Sequence, residues 1–161
     1  MATQTESPPY ATYAALVGIF GAGLTGVAAL AGLLGKRPER LTALDLAVLT
    51  GATFKAARTV TSDEVLSFVR VPFVKGEAHE GDEEPIEDGG ARQAIGELVT
   101  CSRCIGVWAA AGLVSAHTLA PRTGRLLTWS LAAAGANDWL QAGFAALTSK
   151  ANELEQRTGN G

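Results

Sequence analysis

Apolar residues are concentrated in three long stretches of the chain, and charged residues gather between them. The first stretch, residues 13–34, contains no charged side chain. About 20 apolar residues are enough for a helix to cross the hydrocarbon core of a bilayer. No Lys or Arg precedes this stretch and a basic block at residues 36–40 follows it, which is the opposite of a cleaved signal peptide. We therefore predict a transmembrane helix.

Two further apolar stretches, residues 99–119 and 126–147, are separated by a polar turn at residues 121–125. Each stretch is long enough to cross a bilayer as a helix. Together they predict a transmembrane helical hairpin.

A fourth segment, residues 41–60, has a helical pattern but carries Asp45, Lys55 and Arg58. Its charge-free part, residues 46–54, covers roughly 14 Å, or half a bilayer. We expect a re-entrant or surface-lying helix, or a span whose charges are shielded by neighbours.

The distribution of Lys and Arg favours the first of these arrangements. If residues 41–60 do not cross, eleven basic residues lie on one side and two on the other; if they cross, the split is eight against five. Because basic residues accumulate in the cytoplasm, we expect the N-terminus outside and the C-terminus in the cytoplasm. The predicted fold is an all-α, multi-span transmembrane bundle with three full spans plus one membrane-embedded partial helix, and four spans as the alternative. Helices are predicted near 12–34, 41–60, 62–71, 92–120 and 125–150.

The predicted membrane helical domain covers residues 41–148, with flexible segments at 1–12 and 149–161. It contains an acidic loop at residues 76–90, which holds seven acidic residues between positions 77 and 88 and no basic residue in that interval. A stretch of this composition buries too little surface to fold alone. We expect it to be solvated.

Composition excludes several function classes. The chain has 161 residues, and its 13 basic residues face 16 acidic ones without a block of Lys and Arg long enough to bind nucleic acid. No phosphate-binding glycine pattern, nucleophile elbow or HExxH motif is present. We therefore expect neither an enzyme nor a nucleic-acid partner, and no cofactor.

Small residues recur every four positions in the first apolar stretch, at Ala14, Gly18, Ala22 and Gly26. This spacing places them near one face of a helix, where another backbone can approach closely. The pattern predicts a partner helix, either in a second copy of the chain or in another membrane subunit. A structural or accessory subunit is the role favoured by this pattern.

Asp138 lies near the middle of the last apolar stretch, where a carboxylate is costly unless it faces a partner or water. Lys55 and Arg58 are its expected counter-ions. A static ion pair is favoured over a proton or ion pathway, because the sequence places no second acidic or histidine relay residue nearby.

Cys101 and Cys104 share a helix face if this segment is helical. Small packing residues are the favoured interpretation, and a thiol-redox pair or half of a metal site is the alternative. A structural zinc needs four ligands. His117 lies roughly 20 Å further along the same predicted helix, so a metal requires His79 or a second copy of the chain.

The stretch from Gly96 to Trp108, with the two cysteines at its centre, resembles the central motif of a family of small bacterial membrane proteins known as domain of unknown function 1360. Three other features match the family in the same order: Ala52–Arg58, Val71-Pro72-Phe73 and Asp138-Trp139-Leu140-Gln141. The resemblance covers roughly residues 41–141. Family members usually carry Pro or an aromatic residue between the cysteines, where this chain has Ser102-Arg103. The resemblance implies a membrane location and implies no reaction. One member of the family is linked by name to sporulation.

Overall fold

The computed structural model describes residues 8–36, 41–76 and 82–159, and this part of the chain is all-α, as the sequence predicts. Two-residue strands, β1 (Val74–Lys75) and β2 (Glu84–Pro85), form a small antiparallel pair between the helices. Short 3-10 turns occupy Glu64–Leu66 and Val71–Phe73. The helices are α1 (Tyr10–Leu33), α2 (Ala43–Thr61), α3 (Ser67–Arg70), α4 (Ala91–Thr100), α5 (Ser102–Leu119) and α6 (Pro121–Gly159).

The ends of the first two helices are set by local chemistry. Gly35 adopts φ +62°, and the N–H of Lys36 donates to the carbonyl of Ala31 at 2.8 Å, the arrangement of a glycine-terminated helix. Helix α2 begins with a capping box, in which Thr42 and Asp45 satisfy each other's backbone N–H groups.

Helix α2 lies between α5 and α6 and approaches both through small residues. A Cβ atom added to Gly135 would meet the carbonyl oxygen of Gly51 at 3.2 Å and Cβ of Lys55 at 3.3 Å. A Cβ atom on Gly106 would meet that of Ala57 at 3.9 Å. Close contact of backbones at small residues is typical of helix packing in membranes.

Contacts at the helix ends establish the direction of α2 relative to its neighbours. The hydroxyl of Thr61, the last residue of α2, lies 2.8 Å from that of Ser102, the first residue of α5. These two helices are therefore antiparallel. Asp45, early in α2, lines the same cavity as Arg125, early in α6, and α5 and α6 are joined through Ala120 alone. Helices α2 and α6 therefore run in the same direction.

Helix α1 runs in the same direction as α5. The ring of Phe20 packs edge-on against that of Trp108, with centroids 5.1 Å apart. Nearer its start, the Tyr13 hydroxyl donates to Glu97 in α4, just before α5. The start of α1 and the start of α5 consequently lie at the same end of the bundle.

This direction contradicts the three-span arrangement with the N-terminus outside and the C-terminus in the cytoplasm. That arrangement requires α1 and α5 to be antiparallel, because a single membrane crossing separates their starts. In the structure α1 and α5 are parallel, so α2 has to cross any membrane that both of them cross. In such an arrangement the described chain begins and ends on the same side of the membrane.

Length and hydropathy identify one candidate membrane span among the described helices, α1. One N-terminal helix of this kind occurs in signal sequences as well as in membrane proteins. Helices α4 and α5 meet the criteria together, but they are bent by 84°. Helix α6 does not meet them, because Asn137, Asp138 and Gln141 dilute its apolar stretch. These criteria therefore do not support the predicted set of three full spans.

Several predicted boundaries differ from the structure. The helix predicted at 92–120 is interrupted, since Cys101 is extended at φ −99°, ψ 102°. The helix predicted at 62–71 is a series of short helical turns. Residues 149–159 continue α6 instead of forming a flexible tail, and Glu153 there pairs with Lys150 at 2.8 Å. Residues 121–125 form the first turn of α6.

Two residues of the acidic loop form the second strand of the small antiparallel pair. Val74 pairs with Pro85 and Lys75 with Glu84, so the middle of the loop returns beside the residues that precede it. Residues 77–81, including His79, lie outside the described residues.

Candidate functional site

The structure brings Lys55 and Asp138 together and leaves Arg58 apart from them. Lys55 Nζ lies 2.9 Å from Asp138 Oδ2 and 3.1 Å from Asp63 Oδ2. The Lys55 side chain is 17% exposed, against 41% for Asp138 and 32% for Asp63. Arg58 is exposed. One ammonium group therefore serves two carboxylates.

Asp63 is the member of this cluster that the sequence analysis missed. It follows the end of α2, eight residues after Lys55, and the Thr59 hydroxyl donates to it at 2.9 Å. The premise that no second acidic residue lies near Asp138 is therefore wrong. The spacing of Lys55, Thr59 and Asp63 at four-residue intervals was the signal for it.

The ionisation of Asp63 is governed by opposing effects. Burial raises its pKa, but hydrogen bonds from Thr59 and Lys55 and the nearby charge of Arg58 more than offset this and hold the pKa below its usual value of 3.8. Asp63 is consequently a carboxylate at neutral pH.

Cys101 and Cys104 form a disulfide at the start of α5, with their Cα atoms 5.2 Å apart. Cys101 caps the helix, because its Sγ accepts the Cys104 N–H at 3.2 Å. Cys101 is half-buried and Cys104 is exposed. The interpretation of both cysteines as buried packing residues therefore does not hold for Cys104.

The described residues contain no cluster of three His, Cys, Asp or Glu side chains suited to a metal ion. The two bonded sulfurs offer no free thiolate, which is the form that binds metals. His117 is engaged elsewhere, since its Nε2 lies 2.7 Å from the hydroxyl of the buried residue Thr128.

An apolar groove of about 370 Å³ runs beside the disulfide, between α1 on one side and α4 and α5 on the other. Glu97 lies at its wall, where Tyr13 donates to it and the Gln93 side chain donates at 2.9 Å. The remaining surface is largely aliphatic and aromatic. Val17, Cys104 and Trp108 are among the residues that line it.

A second cavity of about 300 Å³ lies at the opposite end of the bundle, where α2 begins and α5 meets α6. Its lining combines one acidic residue with two exposed arginines, Arg122 and Arg125. The Asp45 carboxylate in this wall is already used by the capping box of α2.

The small-residue face of α1 does not pack against any other described part of the chain. Ala14, Gly18, Ala22 and Gly26 are all exposed, and a Cβ atom on either glycine would meet nothing within 4 Å. The helix instead contacts α4 and α5 through a different stripe that includes Tyr13 and Phe20.

Arg70 lies in the segment predicted as a helix near 62–71, and its buried side chain forms a clamp. Its Nε donates to Glu83 at 2.6 Å, and its Nη1 donates to the carbonyls of Val60 at 2.8 Å and Asp63 at 3.0 Å. Arg70 is 0% exposed and the Glu83 side chain 9%. The clamp ties the acidic loop to the end of α2. The sequence signal for this buried ion pair was a single Arg inside an apolar stretch, followed by a loop rich in acidic residues.

Comparison with known proteins adds a family and one curated relative. The model of a family described as "Protein of unknown function (DUF1360)" matches residues 48–144. The chain is 33% identical over 103 residues to "Sporulation protein YjcA" of Bacillus subtilis (strain 168), an alignment covering 57% of this chain and 83% of that protein. No solved structure matches.

Proposed function

Because the chain belongs to the DUF1360 family, a family of unknown function, we propose its role from its own geometry: it is a membrane-embedded accessory subunit whose α1 docks on a helix of a partner. A second copy of the chain is the partner favoured here. The observation that carries the proposal is the exposure of α1.

Helix α1 is 24 residues long, or about 36 Å at 1.5 Å per residue. Ala31 is its one buried residue, and only 6% of its most apolar 18-residue stretch is buried inside the structure. Large side chains such as Val17 and Ile19 are 71% and 60% exposed. Soluble proteins rarely leave so large an apolar surface uncovered. A bilayer together with a partner helix covers it.

The remaining long helices fit a four-span arrangement. Helices α2 and α5, of 19 and 18 residues, are about 28 Å and 27 Å long, close to the thickness of the hydrocarbon core. Helix α6 is about 58 Å long, so its charged end projects beyond the bilayer. The contact between Lys55 and Asp138 compensates the two charges that α2 and α6 carry at membrane depth.

The proposed orientation places both chain ends in the cytoplasm. With α2 crossing and Lys55 held within the bilayer, seven Lys and Arg residues lie on the side of the chain ends and five on the other side. The positive-inside rule then favours the side with seven. This replaces the expectation of an outside N-terminus.

Fractionation and topology mapping test the membrane part of the proposal. We expect the protein to stay with membranes in alkaline carbonate and to leave them in detergent. Reporter fusions at the two ends should both report the cytoplasm. Extraction by carbonate alone, or reporters on opposite sides, would contradict the arrangement.

Glycine variants of α1 test the docking face. Gly18→Leu should lower the fraction of cross-linked dimer in a mild detergent, because the larger side chain would hold the partner backbone away. Gly23→Leu is the matched control: it places the same side chain in equally open space off the face. Equal cross-linking in both variants would refute the docking face.

A proton pathway is the second candidate function, and the observation favouring it is that Asp63 and Asp138 share Lys55. Asp138→Asn should abolish proton flux into liposomes, while Glu153→Gln on the projecting end of α6 should not change it. A wild-type protein that conducts no protons excludes this function.

A further inference from the structure

The start of α5 carries a disulfide that the accessory role does not use. The Cys101–Cys104 bond joins the cap of the helix to its first turn, at the point where the chain bends by 84° between α4 and α5. Cys104, in the first turn of α5 after the bend, is exposed. An accessible disulfide is one that another thiol can attack.

We propose that Cys101 and Cys104 form a redox-active pair that exchanges electrons with a dithiol carried on an apolar group. The apolar groove next to Cys104 is the binding site for that group. Three observations carry this proposal together: the exposure of Cys104, the helix cap at Cys101 and the groove between them and α1.

The two sulfurs have different roles in the exchange. A thiolate of the dithiol attacks Sγ of exposed Cys104, a bond forms there, and the bond between Cys104 and Cys101 breaks. The electron pair leaves with Cys101 Sγ, which already accepts the Cys104 N–H at 3.2 Å. Backbone N–H groups at the start of a helix stabilise a negative charge, so Cys101 is the better leaving group.

The second thiolate of the dithiol completes the reaction. It attacks the substrate sulfur that is bonded to Cys104, which forms the substrate disulfide and releases Cys104. Two electrons pass from the dithiol to this chain. The two protons lost by the dithiol are taken up by Cys101 and Cys104, so atoms and charges balance.

The groove accounts for the class of dithiol. Val17 of α1 and Trp108 of α5 form part of its walls, and Cys104 lines the same groove. A hydrocarbon chain bound there holds its dithiol beside the exposed sulfur. A hydrophilic dithiol gains nothing from this surface.

The test uses the full chain in mild detergent with two dithiols, dihydrolipoamide and dithiothreitol, at equal thiolate concentration. Free thiols are trapped with acid and counted by a maleimide gel shift. We expect dihydrolipoamide to reduce the disulfide at least tenfold faster than dithiothreitol. Val17→Trp, which narrows the groove, should remove this preference, whereas Ile19→Trp on an exposed part of α1 outside the groove should keep it.

A second measurement locates the attack. Brief treatment with glutathione, followed by peptide mass spectrometry, should find the mixed disulfide on Cys104. Glutathione on Cys101, no reduction of the folded protein, or equal rates with the two dithiols would each overturn the proposal. A variant with both Cys101→Ser and Cys104→Ser should melt within a few degrees of wild type; failure to fold would identify the disulfide as a structural link instead.

Discussion

Arg70→Met removes a buried guanidinium group while keeping a side chain of similar length. In the wild type this group donates to Glu83, to the Val60 carbonyl and to the Asp63 carbonyl, at 2.6–3.0 Å. Methionine donates no hydrogen bond, so the variant leaves a carboxylate that is 9% exposed without its counter-ion.

The burial of this ion pair sets the size of the loss in unfolding free energy. Removing one partner of a buried ion pair costs about 3–5 kcal/mol, because the other charge stays desolvated. For a chain of this size, each kcal/mol lowers the melting temperature by about 2–4 °C. We therefore expect a decrease on the order of 10 °C.

Thermal unfolding in mild detergent, followed by circular dichroism, measures this decrease. Arg103→Met is the control, since Arg103 is exposed and surface changes usually stay within about 0.5 kcal/mol. Replacing both Arg70 and Glu83 with methionine should recover most of the loss, because no charge is then left buried. A melting temperature within 2 °C of wild type for Arg70→Met would refute the clamp, as would a double variant no more stable than the single one.

Three further predictions concern packing and ionisation. Gly135→Val should destabilise the contact between α2 and α6, because its Cβ would lie only 3.2 Å from the carbonyl oxygen of Gly51. Gly143→Val, in open space, should melt like wild type. Equal melting temperatures of the two variants would contradict the packing. Gly96→Ala should speed proteolysis of the acidic loop, because the new Cβ would lie 2.5 Å from the carbonyl of Phe73; unchanged cleavage would contradict that contact. The pKa of Asp63 is lower in the folded protein than in the unfolded chain, so its stabilising effect is present above about pH 4 and is lost as the pH falls through the folded pKa. Between pH 6 and pH 3, the melting temperature of Asp63→Asn should therefore fall less steeply than that of the wild type. An equal fall in the two proteins would refute the lowered pKa of Asp63.

Local features of the structure followed from the sequence. The uncharged stretch that forms α1 and the helical pattern of α2, which begins with Thr42 and Asp45, depend on neighbouring residues alone. The same holds for the all-α class. The family resemblance also came from short motifs, and the match over residues 48–144 bears it out.

Other features depended on contacts between distant segments. Asp63 contacts Lys55 locally, but it comes near Asp138 only because α2 lies against α6. The buried clamp of Arg70 forms only because the acidic loop brings Glu83 back to the end of α2. The break at Cys101 divides the segment 92–120, which the sequence predicts as one helix. Ser102-Arg103 interrupts the apolar pattern directly after the break, but a pattern of apolar and polar residues does not encode the angle of 84° between the two helices.

The amino-acid sequence alone determined that the chain forms helices and which stretches are apolar enough for lipid, because both properties are set within a few turns. The tertiary structure decided how those helices are directed. Tyr13 meets Glu97, and Phe20 meets Trp108, so α1 is parallel to α5. That direction is a property of packing between segments more than 80 residues apart, and no local pattern encodes it.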